Sequence, residues 1–93
     1  MNEKYIEKRF REAVKDAGGM ALKFISPGCS GVPDRLVLMP GGMACFAELK
    51  APGKKMRPLQ MRRKQQLESL GFSVYCIDRP EQIEGVVDEI RTA

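Results

Sequence analysis

Two acidic residues and a lysine stand where the 93-residue chain would bring them together. Asp34 ends a loop rich in Gly, Pro and Ser, and Glu48 and Lys50 lie at the end of an apolar segment. Strand residues two apart point to the same face of a sheet, so Glu48 and Lys50 would project together. Thirteen residues, with a Pro-Gly-Gly turn midway, separate Asp34 from Glu48. This spacing is compatible with two carboxylates lying side by side.

Such a trio suits metal-assisted hydrolysis. Adjacent carboxylates repel each other unless a cation lies between them, and hard divalent metals prefer oxygen ligands. A lysine one pleat away could hold a water molecule or a phosphate oxygen, so the residues indicate a magnesium site that activates water against a phosphodiester. The alternative is a structural ion pair, since Pro-Asp dipeptides usually form turns and Glu-x-Lys triplets are often surface charge. The apolar segment before Glu48 favours the site, because a charge buried beside it needs a partner.

The basic residues are concentrated in one part of the chain. The sequence has 16 lysines and arginines against 12 acidic residues, a net charge of +4. Residues 49–67 contain no acidic residue and seven basic ones: Lys50, Lys54, Lys55, Arg57, Arg62, Arg63 and Lys64. This concentration predicts a polyanionic partner, with a solvated helix face as the alternative. The segment lacks the aromatic stripe of interfacial helices, which argues against a membrane surface.

Composition excludes several other classes of protein. The chain has no histidine, so a Ser-His or Cys-His nucleophile pair within it is impossible. Cys29, Cys45 and Cys76 are odd in number and widely spaced, which predicts free thiols in a reducing cytoplasm. No apolar run has the length of a membrane span, and the charged N-terminus does not resemble a signal peptide.

Hydrophobic periodicity and turn residues predict a single α/β domain over residues 1–93. Apolar residues at helical spacing predict helices over residues 4–17, from 58 to 70, and from Pro80 onward. Apolar and alternating segments predict strands over residues 20–25, 36–39, 43–49 and 72–77, the middle two forming a hairpin. The predicted order is α-β-β-β-α-β-α, a mixed β-sheet flanked by helices.

Three segments together resemble a known nuclease family. They are Ser26-Pro-Gly-Cys-Ser-Gly-Val-Pro-Asp34, Glu48-Leu-Lys50-Ala-Pro-Gly and Arg57-Pro-Leu-Gln60. In this combination they resemble the VRR-NUC branch of the PD-(D/E)XK nucleases, over about residues 6–83, in the stand-alone form common in bacterial viruses and prophages. The resemblance implies a restriction-endonuclease-like core of order α-β-β-β-α-β, which matches the order predicted above. It also implies an endonuclease that depends on Mg²⁺ or Mn²⁺.

The resemblance assigns roles to particular residues. Asp34 and Glu48 would be the metal-ligating acids, with the carbonyl of Leu49 completing the metal shell. Lys50 would orient the attacking water and stabilise charge developing on the phosphate. Gln60 would steady the lysine or a metal-bound water; the alternative is an ordinary helix-surface glutamine.

The family also has a glutamate on its first helix. Glu7 matches it by its spacing to later residues of that helix, and Glu3, one turn earlier, is the fallback. The alternative for Glu7 is a helix-edge ion pair with Arg11.

The implied substrate is DNA, recognised by backbone shape. Its phosphates would be neutralised by Lys54, Lys55, Arg57, Arg62, Arg63 and Lys64. Similarity to Holliday-junction resolvases implies a homodimer acting on four-way or otherwise branched DNA in the bacterial host cytoplasm. Candidate dimer surfaces are the apolar residues of the first helix (Tyr5, Ile6, Phe10) and of the last (Val87, Ile90). The competing hypotheses are a non-catalytic nucleic-acid-binding module that keeps the nuclease fold, and a small regulatory protein.

Overall fold

The computed structural model describes residues 2–93 and follows the predicted order of elements. The elements are α1 (Glu3–Asp16), β1 (Met20–Lys23), β2 (Arg35–Met39), β3 (Met43–Leu49), α2 (Pro58–Ser69), β4 (Val74–Ile77) and α3 (Glu81–Thr92). The prediction of a mixed sheet flanked by helices is confirmed. None of the helices within residues 2–93 has the length and apolar character needed to cross a membrane.

The four strands lie side by side in chain order. β1, β2 and β3 are antiparallel neighbours, whereas β4 runs parallel to β3 after the crossover through α2. β1 ends two residues earlier than predicted because its partner strand begins at Arg35, opposite Lys23. Beyond that pair the backbone N–H of Phe24 still donates to the carbonyl of Asp34 at 2.6 Å, which closes the sheet at the base of the loop.

The hydrophobic core lies on one face of the sheet. α1 contributes Ile6, Phe10 and Val14, spaced four residues apart and fully buried. α3 contributes a second stripe, and both helices pack against odd-numbered residues of β2, β3 and β4: Val37, Met39, Cys45, Ala47, Leu49 and Ile77. Because every strand alternates, the even-numbered residues face the other side, where α2 lies.

Burial in this core corrects one expectation from the sequence. Ile6, Phe10, Val87 and Ile90 are at most 6% exposed, so they cannot form a contact surface between two subunits. The prediction of a dimer surface from the apolar residues of the first or last helix is therefore wrong for these four residues. Their spacing is that of a core stripe, and sequence alone does not tell a core stripe from an unpaired one.

Two glycines fix the direction of α1 over the sheet. Gly18 has a φ of +89°, which ends the helix in the left-handed region. At Gly19 a β-carbon would lie 2.5 Å from the carbonyl oxygen of Leu38, so only glycine permits this close approach. The end of α1 is thereby held against the end of β2, and the first turns of α1 lie over the opposite end, where β2 begins.

Candidate functional site

The predicted carboxylates meet at the end of the sheet where β2 begins and β3 ends. β2 and β3 pair from Arg35 opposite Ala47, so Asp34 and Glu48 face each other one step beyond that pair. The backbone N–H of Asp34 donates to Oε1 of Glu48 at 3.1 Å. The backbone N–H of Leu49 donates to Oδ2 of Asp34 at 3.1 Å. Each acid is thus held by the backbone of the other's strand.

Glu48 is a buried carboxylate, 2% exposed, in an otherwise apolar strand. Burial raises its pKa above the ordinary value, and the negative charge of Asp34 raises it further. Lys50 opposes the shift, with its ammonium 3.2 Å from Oε2 of Glu48. The two acids therefore repel each other in a place from which water is largely excluded, and one lysine compensates only part of the charge.

Gln60 brings α2 into the site. It is 7% exposed, and its Nε2 donates to Oε2 of Glu48 at 2.9 Å. Its Oε1 accepts from the backbone N–H of Arg57 at 2.8 Å, which caps the first turn of α2. Its burial excludes the surface-glutamine alternative, and its contact is with Glu48 rather than with Lys50.

The donor set fits a hard divalent cation. Asp34 and Glu48 supply carboxylate oxygens, and Oε1 of Glu48 keeps a lone pair beyond the one bonded to Asp34. The N–H of Leu49 points toward Asp34, and since the N–H and C=O of a strand residue point to the same side, its carbonyl faces the same way. Within residues 2–93 no group of three or more His, Cys, Asp or Glu side chains could hold a metal. Two carboxylates and several waters nevertheless match the way Mg²⁺ is commonly bound.

Glu7 does not join this pair. It lies on α1, which packs against the face of the sheet opposite to Glu48. Its carboxylate is 3.9 Å from Arg35, the first residue of β2, and not paired with Arg11. Its role in the site stays a prediction.

The predicted DNA-binding residues divide into two groups. Lys54, Lys55, Arg57 and Arg62 are exposed. Arg63 instead donates from Nε to the carbonyl of Ser30 at 2.7 Å, and Lys64 lies 3.2 Å from Glu68 one turn along α2. A groove of about 420 Å³ beside the site is lined by Lys54, Lys55, Lys64 and Arg79, together with Cys76 and Asp78.

Two arginines have placements that the sequence interpretation missed. Arg63 ties the loop before Asp34 to α2, and nothing in its local sequence distinguishes it from its basic neighbours. Arg35 follows Asp34 directly, and strand alternation turns its side chain toward α1. A charged residue at a core-facing strand position was a signal available in the sequence.

Comparisons with known proteins agree with this arrangement. No protein-family model matches the chain. A curated protein named "Putative nuclease p44", from Acyrthosiphon pisum secondary endosymbiont phage 1, is 47% identical over 78 residues, which cover 84% of each chain. A solved structure described as a VRR_NUC domain superposes with a TM-score of 0.86 at 29% identity, covering 92% of this chain and 94% of the other.

Proposed function

The chain belongs to the VRR-NUC family of nucleases, and from that premise we propose that residues 1–93 form one metal-dependent endonuclease domain acting on branched DNA. The observation that carries the proposal is the pairing of Asp34 with the buried Glu48, with the Lys50 ammonium 3.2 Å from Glu48. A module that only binds DNA gains nothing from two acids held together beside a polyanion, since they weaken its attraction to phosphates.

The residues of the site divide the work of hydrolysis. Asp34, Glu48 and the Leu49 carbonyl would hold Mg²⁺ or Mn²⁺, which when bound supplies charge stabilisation and makes water a stronger acid. Lys50 holds a positive charge at the same place, where it can orient the attacking water and stabilise negative charge developing on the phosphate. Gln60 fixes the rotamer of Glu48 through the hydrogen bond to Oε2, so the oxygen that faces Asp34 stays in place.

The exposed basic residues supply the contacts to DNA. Lys54 and Lys55 lie in the segment that leaves β3, and Arg57 and Arg62 lie at the start of α2, close along the chain to Gln60. They would neutralise phosphates flanking the scissile bond, which gives recognition of backbone geometry without a sequence code. We place this activity in the cytoplasm of a bacterial host cell, in keeping with the phage source of the similar protein.

We further propose that two copies of the chain associate through the sheet face that α2 leaves uncovered. Met20, Leu22 and Leu38 lie on this face and are 57, 39 and 37% exposed. The face lies beside the edge strand β1, and packing it on the same face of a second copy across a two-fold axis is self-complementary. Two sites held at a fixed separation could then cut opposing strands of a four-way junction.

Sedimentation at micromolar concentration tests this association. A dimer has a mass of about 21 kDa, twice 10.4 kDa. Leu22→Glu places a charge on the uncovered face and should give a folded monomer. The control Leu59→Glu places a charge at an exposed position of α2, away from this face, and should leave the dimer intact. A wild-type chain that stays monomeric on junction DNA and nicks one strand would replace the dimer with a structure-selective nickase.

The nuclease activity is tested by incubating the purified protein with labelled four-way junction, flap and linear duplex. Parallel reactions contain Mg²⁺, Mn²⁺ or EDTA. We expect cleavage of the branched substrates with either metal and none in EDTA, and Asp34→Asn as the control should bind the junction without cutting it. Cutting in EDTA would contradict the metal dependence. Equal cutting of linear duplex would contradict the preference for branches.

A further inference from the structure

We infer that Arg35 is a positioning residue that holds the Glu7 carboxylate at the active-site end of the sheet. The inference rests on the proposed nuclease function and assigns a role to a residue outside the predicted site. Arg35 is the first residue of β2 and directly follows Asp34. Alternation along the strand sends the two side chains to opposite faces, so one stretch of backbone links the carboxylate pair to α1.

The surroundings of Arg35 leave its charge incompletely satisfied. Its side chain is 13% exposed, and one terminal nitrogen donates to the carbonyl of Ala21 at 3.3 Å. The other terminal nitrogen is 3.9 Å from Oε1 of Glu7, and Nε is buried without a hydrogen-bond partner. A guanidinium has five N–H donors in a fixed fork, and a buried one without an anion is costly. A small movement of Glu7 would give a bidentate pair that satisfies both nitrogens.

A closer pairing with Arg35 would fix the Glu7 carboxylate near the start of β2. The ion pair with Arg35 shows that the first turns of α1 lie over the end of the sheet where β2 begins. A third carboxylate approaching Asp34 and Glu48 would be repelled by both. The positive charge of Arg35 offsets that repulsion and limits the rotamers of a side chain that is still 27% exposed. Arg35 thus holds an acid of α1 beside the first residue of β2, next along the chain to Asp34.

Two other roles would give different results in the same experiment. Arg35 could simply join α1 to the sheet, in which case its loss would change stability alone. It could contact a DNA phosphate, in which case its loss would weaken binding and reduce the salt dependence of the affinity by about 0.9 in the log–log slope. A double-mutant cycle separates these roles, because two residues that act as one unit do not give additive effects.

The cycle uses Arg35→Met, Glu7→Gln, the double variant and Arg35→Lys, with Arg11→Met as a control on the exposed face of α1. Single-turnover cleavage of a saturating four-way junction is measured well below the melting temperature of each variant, together with junction affinity at several salt concentrations. We expect Arg35→Met to slow cleavage about tenfold with unchanged affinity and salt slope. The double variant should be no slower than Glu7→Gln, Arg35→Lys should recover part of the rate, and Arg11→Met should match the wild type.

Additive losses in the double variant would overturn the inference, as would wild-type cleavage by Arg35→Met or a reduced salt slope. If Arg35→Met does not fold, the comparison of Arg35→Lys with Arg35→Lys/Glu7→Gln gives the same cycle. A wild-type chain that cleaves no substrate contradicts the proposed function instead, so failure of the function and failure of the Arg35 role are distinct results.

Discussion

The two faces of the sheet are built on different principles. On the face covered by α1 and α3, the buried residues of the core are apolar, and α1 alone contributes Ile6, Phe10 and Val14. On the face covered by α2, the one buried residue of the helix is Gln60, while Leu59 and Met61 are 42 and 51% exposed and Leu67 is half-buried. One face supplies the hydrophobic stability of a small domain, and the other carries the polar groups that do chemistry.

The contacts that hold α2 show the consequence of this division. α2 contacts the site through the hydrogen bond from Gln60 to Glu48, and contacts the loop before Asp34 through Arg63 and the carbonyl of Ser30. Apolar packing on this face centres on Phe46, whose ring lies 5.5 Å from that of Phe24 and 5.6 Å from that of Phe72. A helix docked through its polar residues keeps the catalytic groups aligned, but it adds less stability than a helix docked through an apolar stripe.

The largest expected effect comes from removing one charge of the carboxylate pair. Glu48→Gln or Asp34→Asn keeps the side-chain volume and should reduce cleavage to background, with junction binding still measurable. Because burial raises the pKa of Glu48 above its unfolded value, the ionised carboxylate is a net cost to the folded state at neutral pH. Glu48→Gln should therefore show no loss of melting temperature in EDTA. A variant that cuts at near wild-type rate would remove its residue from the metal site.

A substitution in the core face should lower the stability of the fold and leave the cleavage rate unchanged. Phe10→Ala leaves a cavity among fully buried neighbours and should cost about 3–5 kcal/mol of folding free energy. Any cleavage by the fraction that stays folded should have the wild-type rate. Leu22→Ala, on the uncovered face, is the matched control and should cost well under half as much, because Leu22 is 39% exposed. Urea unfolding measures both; equal losses would mean that the uncovered face is as well packed as the core.

Lys50 lies on the chemical face but outside the core, so its loss should affect rate without affecting stability. Lys50→Ala should slow cleavage by a factor of about 10²–10³, the usual contribution of one positioned electrostatic group. Single-turnover rates at saturating junction DNA give the factor, and thermal unfolding supplies the control. A loss below about threefold would return Lys50 to the role of an ion-pair partner for Glu48.

The core face was predictable from sequence and the chemical face only in part. The four-residue spacing of Ile6, Phe10 and Val14 and the alternation in the strands predict helices, strands and their buried sides. The proximity of Asp34, Glu48 and Lys50 could be predicted because a hairpin with a short turn fixes their register. The placement of Gln60 against Glu48 and of Arg35 against Glu7 depends on how helices pack on the sheet, which no local pattern specifies.

The smallest expected effect distinguishes three basic residues in α2 and directly before it. Arg57 and Arg62 are exposed, whereas Arg63 donates to the carbonyl of Ser30 at 2.7 Å and to Oε1 of Gln66 at 2.9 Å. Arg57→Gln and Arg62→Gln should each reduce the log–log salt slope of junction affinity by about 0.9, at unchanged melting temperature. Arg63→Gln should leave the slope nearly unchanged and lower the melting temperature, because the loop before Asp34 loses its tie to α2. Fluorescence anisotropy from 50 to 200 mM salt measures the slopes. If all three variants lose the same slope, Arg63 contacts phosphate as well, and the polar docking of α2 is weaker than its hydrogen bonds indicate.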